Sequence, residues 1–263
     1  MQSIKKLNHA KKQIRKLESV IRDYINSKPY EIYQTEETNG DLTYRLRVLK
    51  ELPQDWGLDI GDIIHNIRSS LDLLVSDFLI NTGKNPTNKS AYPFYETEKE
   101  IVGDSANRMI GVSKASRNLI ISTQPFKTGN QTLWKLHKLD IISKHRLIIP
   151  VGSSSRSIGV DMTGIFRRQG ILPADFKPMP IFIKPADRQY PLKDGSGIFG
   201  VSKQGRESHD PTDHQFVFDI SFGEGDVMDG EPIIETLDLF AQEVQNIFER
   251  AEKLLVYPQL VKK

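Results

Sequence analysis

The sequence predicts an α+β fold in which a bundle of about four long helices packs with a mainly antiparallel sheet. Apolar residues recur at three- and four-residue steps in the long segments, which is the period of a helix. Apolar and polar residues alternate around Asn39-Gly40 and again within 147–222, which is the period of a strand. Each element then has one apolar face to bury against another. We expect one domain over 1–263, with helices at 3–27, 59–81, 130–146 and 232–256.

The N-terminal part is predicted to be a helix followed by a β-hairpin. Ser3 is a suitable N-cap for the first helix, and Pro29 lies just past its end. The hairpin covers the β-rich segment 30–50 and turns at Asn39-Gly40. This dipeptide favours a type I′ turn, in which both residues take positive φ.

The rest of the chain changes from helical to strand patterns near residue 147. Short helical segments are expected around 97–110 and 113–122. The candidate strands are 146–151, 157–167, 179–184 and 215–222. The stretch 185–213 is rich in Gly, Pro, Asp and Ser and is therefore predicted to be a loop.

Composition excludes several kinds of site. The chain has 263 residues, of which 38% are hydrophobic and 27% charged, as is typical of a globular protein. A formal net charge of +2 supplies no basic field that would by itself attract nucleic acid. The sequence contains no cysteine, which excludes disulfides, thiolate nucleophiles and cysteine-ligated metals. No run reaches the roughly 18 apolar residues of a membrane span, and lysines interrupt the N-terminal segment, so we expect a cytoplasmic protein.

Two of the predicted helices carry polar residues beside their apolar stripes. His65, Arg68 and Asp72 stand at i, i+3 and i+7, which places them on one helix face. The third long helix repeats this spacing with His137, Asp140 and Lys144. Polar groups near a core destabilise a fold unless they are paired or used. These two stripes are therefore the best candidates for a functional site.

Three interpretations of the stripes remain open. In the first, the two helices are neighbours and His65, Arg68 and His145 converge as catalytic residues. The further binding residues would then be Asn66, Asp72, His137, Asp140, Lys144 and Arg146. In the second, the stripes form a non-catalytic network that fixes helix packing, starting from an Arg68–Asp72 ion pair. In the third, histidines and carboxylates of facing helices bind a metal. The loop residues His209 and His214 are either a second ligand cluster or a solvated turn, and the turn is favoured.

The motifs around the stripes resemble a known group of proteins. The first motif, Gly-Asp-x-x-His-Asn-x-Arg-Ser-x-Leu-Asp, lies within 61–79, and the second, Leu-x-x-Leu-x-x-x-x-Lys-His-Arg, lies within 133–149. Together they resemble a large group of poorly characterised bacterial and phage proteins, which in turn resembles the HEPN superfamily. Those proteins are helical bundles, and many are metal-independent ribonucleases of toxin–antitoxin and phage-defence systems.

The resemblance implies a role for Arg68 and leaves the position of the histidine unfilled. The family's Arg holds the scissile phosphate and is often followed by a polar residue, as Arg68 is by Ser69. The family's His follows after four to six residues and acts on the ribose 2′-hydroxyl, but Leu73 stands there, so His65 or His145 would replace it. The resemblance thus implies an RNA-directed protein and a metal-independent ribonuclease without cofactor. Related bundles commonly form homodimers, and the heptad-like spacing of residues 14–24 would permit one here, so the oligomeric state stays open.

Overall fold

The long helices lie where the sequence predicts them. The structure, a computed structural model, describes residues 1–100, 108–160, 166–167, 169–171, 181–183, 190–208, 214–225 and 227–256. Its helices are α1 (Gln2–Asn26), α2 (Trp56–Asn81), α3 (Lys114–Ser122), α4 (Gln131–His145) and α5 (Ile233–Val256). The predicted α+β class and the four long helices are confirmed, and α3 confirms the short helix expected at 113–122. Half of the other expected segment, 97–110, cannot be compared, because residues 101–107 lie outside the described part of the chain.

The described strands form two antiparallel sheets. The first has the order β1-β2-β5, with β1 at Tyr30–Glu36, β2 at Leu42–Val48 and β5 at Gly197–Val201. The second has the order β4-β3-β6-β7, with β3 at Pro150–Val160, β4 at Ile181–Ile183, β6 at His214–Glu224 and β7 at Met228–Pro232. The early hairpin and the later strands are thus both present, but β5 alone joins the hairpin and the other strands make a sheet of their own.

Several predictions for the second half of the chain are wrong in detail. The stretch 185–213, predicted to be a loop, contains β5 and a 3-10 helix at Lys203–Ser208. A five-residue strand that contains two glycines offers too little alternation to be recognised. The candidate strands 146–151 and 157–167 overlap the two ends of one strand, β3, which covers 150–160, and residues 146–149 are not in a strand. Residues 161–165, and the residues that flank β4 at 179–180 and 184, lie outside the described residues.

The hairpin turn is not the predicted type I′ turn. Gly40 has a φ of +85°, but Asn39 does not take positive φ. The backbone N–H of Gly40 donates to the carbonyl of Glu37 (2.9 Å), and the N–H of Glu37 donates to the carbonyl of Asp41 (2.8 Å). The loop is therefore longer than two residues, and only its glycine needs the left-handed conformation.

Helix α2 lies at the centre of the bundle and packs on α1, α4 and α5. Its buried apolar residues cover more than one face: Ile60, Ile63, Ile64, Ile67, Leu71, Leu74, Val75 and Phe78. Neighbours on several sides are needed to cover so wide a stripe. Ile220 and Phe222 of β6 belong to the same core, so the second sheet packs against the bundle. Within the described residues we find no helix that combines the length and hydropathy required to cross a bilayer.

Helix α1 begins before the predicted N-cap, Ser3. The fully buried Ser3 lies inside the first turn, and its hydroxyl donates to Asp77 Oδ2 of α2 at 2.6 Å. The backbone N–H groups of Gln2 and Ser3 donate to the two oxygens of the same carboxylate at 3.0 and 3.1 Å. Asp77 therefore satisfies the first N–H groups of α1 from a neighbouring helix and places a negative charge at its positive end.

Candidate functional site

Helices α2 and α4 run antiparallel and approach closely because Gly61 of α2 faces α4 and Gly57 faces the segment just beyond its end. A Cβ atom on Gly57 would lie 2.4 Å from the carbonyl oxygen of Ile148, and one on Gly61 would lie 3.3 Å from Cβ of Ser143. One turn after Gly61 on α2, His65 contacts Asp140 on α4. The missing side chains of Gly57 and Gly61 thus allow the two predicted polar stripes to meet.

The two stripes meet along one line of contact between α2 and α4, which we call the seam. Its open half consists of His65, Asp140 and Lys144, with Asp140 at the centre, and its buried half is built around Arg68 and His137. His65 Nδ1 lies 2.9 Å from Asp140 Oδ1, and Lys144 Nζ lies 2.5 Å from Asp140 Oδ2. The Asp140 side chain is only 3% exposed, whereas those of His65 and Lys144 are 50% and 53% exposed. Both oxygens of a buried carboxylate therefore hold groups that face solvent.

The pairing with Asp140 also determines which nitrogen of the His65 imidazole carries the proton. A carboxylate only accepts hydrogen bonds, so His65 presents a protonated Nδ1 to Asp140. The neutral ring then carries its lone pair on Nε2. In this arrangement Nε2 is suited to take up a proton from a bound group, and the carboxylate stabilises the imidazolium that forms.

The open half borders a groove of about 270 Å³ between α2 and the end of α4. The groove is lined by Gly57, Leu58, Gly61, Asp62, His65, Ser143, Lys144 and Leu147. Asp62 and the two leucines were not among the predicted site residues. Asp62 could have been found, because it stands three positions before His65 and so shares its helix face, whereas the leucines gave no signal that separates them from core residues.

The buried half of the seam is built around Arg68. Its side chain is 8% exposed, its guanidinium lies 4.3 Å from the centre of the Phe94 ring, and its Nε donates to His137 Nδ1 at 3.4 Å. Arg68 Nη1 is 2.8 Å from Asp72 Oδ1, yet the contact is an ion pair without hydrogen-bond alignment, and Nη1 finds no hydrogen-bond partner among the residues that the structure describes. Asp72 also accepts from the backbone N–H of Tyr92 at 2.8 Å. Arg68 is therefore held by groups of the protein itself.

His137 is neutral in this environment. Burial first, and then the positive charge of Arg68, lower the pKa of His137 from 6.5 to about 4. Its ring stacks on Phe94 with centroids 4.5 Å apart and an interplanar angle of 16°. A neutral ring can accept from Arg68 Nε through Nδ1, which explains the contact between two nominally basic groups.

The remaining predicted residues lie apart from the groove. Asn66 donates to Gln13 Oε1 of α1 at 2.7 Å, so it contributes to helix packing. Arg146 forms a two-pronged ion pair with the buried Glu224 of β6, at 3.1 and 2.5 Å, which ties the end of α4 to the second sheet. His145 is exposed and, within the described part of the chain, its side chain forms no hydrogen bond or ion pair with His65 or Arg68. The two stripes thus meet through the contacts of His65 with Asp140 and of Arg68 with His137. His145, which was predicted to converge with His65 and Arg68, lies outside these contacts.

A metal site has no candidate in the part of the chain that the structure describes. No group of three or more His, Asp or Glu side chains there is arranged to hold a metal ion. The second predicted ligand cluster cannot be assessed, because His209 and the side chain of His214 lie outside the described residues. No protein-family profile, no curated protein and no solved structure matches this chain.

Proposed function

We propose that this chain is an RNA-directed protein, remotely HEPN-like, that cleaves RNA without a metal and uses His65 as its acid–base residue. The observation that carries the proposal is the 2.9 Å contact of His65 Nδ1 with the buried Asp140 in a groove open to solvent. A toxin or phage-defence protein acting in the cytoplasm, as a homodimer, is the setting that we propose.

The chemistry that this arrangement supports is attack of a ribose 2′-hydroxyl on the adjacent phosphate. Nε2 of His65 takes the hydroxyl proton, the 2′-oxygen forms a bond to phosphorus, and the bond from phosphorus to the 5′-oxygen breaks. The leaving 5′-oxygen takes a proton from the imidazolium or from water, which leaves a 2′,3′-cyclic phosphate and a 5′-hydroxyl. Lys144, whose side chain lines the groove and is half exposed, supplies positive charge to the phosphate oxygens.

This assignment gives Arg68 a different role from the one implied by the resemblance. Its guanidinium is packed on Phe94 and paired with Asp72, so it has no open face for a phosphate. We assign Arg68 as a positioning residue that fixes α2 against α4. Lys144 takes the place of the phosphate ligand in the proposal.

The test is cleavage of labelled single-stranded RNA in EDTA by wild type, His65→Ala and Asp140→Asn. General acid–base catalysis contributes roughly 100-fold or more, so we expect losses of that size in His65→Ala. Asp140→Asn is also expected to lose activity, because an amide can donate to Nδ1 and so favour the other tautomer. His9→Ala, at an exposed histidine of α1, is the matched control. Equal cleavage by wild type and His65→Ala would refute the proposal.

The buried half of the seam favours a second candidate, a non-catalytic interaction protein whose polar motifs fix helix packing. Arg68 donates to His137 and packs on Phe94, which also stacks on His137, so the three side chains bury one another. This candidate expects wild-type protein to show no cleavage and no RNA binding, while Arg68→Ala lowers the melting temperature strongly. RNA cleavage that depends on His65 would exclude it.

A further inference from the structure

The groove beside His65 is lined by the Asp62 carboxylate, which can accept hydrogen bonds from a ligand. Asp62 is exposed and lies one turn before His65 on α2. Within the described residues its side chain forms no hydrogen bond or ion pair, whereas both oxygens of Asp140 are occupied by His65 and Lys144. Asp62 is therefore the acidic group of the groove that can meet a ligand, and it can only accept hydrogen bonds while ionised.

The walls of the groove are apolar and exposed. Leu58 on α2 and Leu147 just beyond α4 are 53% and 52% exposed. Single exposed leucines are ordinary on a protein surface, but these two line the same groove. Gly57 and Gly61 also line the groove but pack closely against Ile148 and Ser143, so its large apolar side chains are the two leucines.

We propose that the groove binds one unpaired nucleobase and that Asp62 determines which base is accepted. The base lies between Leu58 and Leu147, and its donor edge faces the Asp62 carboxylate. This inference rests on the proposed RNA-directed function. Bases of single-stranded RNA expose their Watson–Crick edges, whereas those of a duplex do not. The groove volume of about 270 Å³ lies just below the range of roughly 300–1,000 Å³ for small-molecule pockets, which suits a single base.

The two oxygens of Asp62 favour guanine. The guanine edge presents two adjacent donors, the N1–H and the 2-amino group, and these match the two acceptor oxygens of a carboxylate. Uracil presents one N–H between two carbonyl oxygens, which a carboxylate repels. Asp62 is therefore a specificity-determining residue, and the reaction proposed for His65 should favour guanosine over uridine in single-stranded RNA.

The experiment compares three single-stranded RNAs that differ at one central position within a run of uridines. That position holds guanosine, inosine, which lacks the 2-amino group, or uridine, and cleavage next to it is measured in EDTA. A good two-pronged contact to a base is worth roughly tenfold or more in discrimination. We expect guanosine to exceed uridine by that factor, with inosine between them. Asp62→Asn should abolish the preference, and Asp59→Asn, at an exposed aspartate of α2 outside the groove, should keep it.

The outcomes separate this inference from the proposed function. Equal cleavage beside guanosine and uridine by wild type would overturn the role of Asp62 and leave the His65 chemistry standing. A guanosine preference that survives Asp62→Asn would overturn it as well, because the preference would then belong to another residue. If wild type neither cleaves nor binds any of the three RNAs, the inference and the proposed function both fail. Melting temperatures of both variants establish that differences in cleavage are not differences in folding.

Discussion

The lowered pKa of His137 makes the stability of the fold depend on pH in a defined window. In the unfolded chain a histidine takes up its proton near pH 6.5, whereas in the folded protein burial and then Arg68 lower the pKa of His137 to about 4. Between these values the unfolded state binds a proton that the folded state does not bind. The free energy of unfolding therefore falls as the pH drops from 6.5 towards 4, and the contribution is fully present at neutral pH.

The size of this contribution follows from the shift. Each pKa unit corresponds to about 1.4 kcal/mol, so the shift of His137 is worth roughly 3 kcal/mol at neutral pH. This is a large fraction of the roughly 5–15 kcal/mol by which domains are stable. Most of it should be lost at pH 4.5, where an unfolded histidine is almost fully protonated.

The assay is urea unfolding of wild type and His137→Asn at pH 7, 5.5 and 4.5. Asparagine does not titrate, and its side-chain oxygen can still accept from Arg68 Nε. Carboxylates contribute equally to both proteins, so the difference between the two pH profiles isolates His137. Wild type should lose up to about 3 kcal/mol more than the variant on acidification. Parallel profiles would refute the reasoning, and His9→Asn, at an exposed histidine, should follow wild type.

Two further predictions concern contacts that hold α1 and α4 against α2. Replacing Asp77 with alanine removes the acceptor of the buried Ser3 hydroxyl and of the first N–H groups of α1. The free energy of unfolding should therefore fall by about 2 kcal/mol. An unchanged urea midpoint would contradict the role of Asp77 as the cap of α1. Replacing Gly57 with alanine places a Cβ 2.4 Å from the Ile148 carbonyl oxygen, so the free energy of unfolding should fall by about 1–3 kcal/mol although alanine favours helix. Gly61→Ala, with a 3.3 Å contact, should lower it less. A larger loss in Gly61→Ala than in Gly57→Ala would contradict this packing of α2.

The sequence predicts the long helices well because their apolar period is sustained over many turns. It also identifies the two polar stripes, because spacing along a helix fixes which residues share a face. It cannot predict that β5 pairs with the early hairpin, since that contact joins Tyr44 to Phe199 across most of the chain. The cap of α1 by Asp77 escapes prediction for the same reason: the N–H groups of α1 find their acceptor on another helix, and Ser3 has the right identity but the wrong position.

The division of the seam into an open and a buried half could not be predicted from the helical pattern either. His65 and Arg68 share one face of α2, and the pattern assigns them similar burial. In the structure Phe94, from the loop after α2, covers Arg68 and stacks on His137, and His65 remains half exposed. The residue that separates a packing role from an accessible one therefore lies outside both motifs, and only tertiary structure shows where it lies.

The buried half of the seam bears on how the open half can work. The His65–Asp140 pair lies between two contacts that fix the approach of the helices: Gly57 against Ile148 on one side and Arg68 against His137 on the other. A catalytic group needs its position held by packed neighbours to within about 0.5 Å, so Arg68 can influence chemistry without touching a substrate. A lower melting temperature of Arg68→Ala would consequently agree with both candidate functions, since both require an ordered seam. Substitution of His65 separates them, because its half-exposed ring reaches the groove and its removal leaves the Arg68 contacts in place.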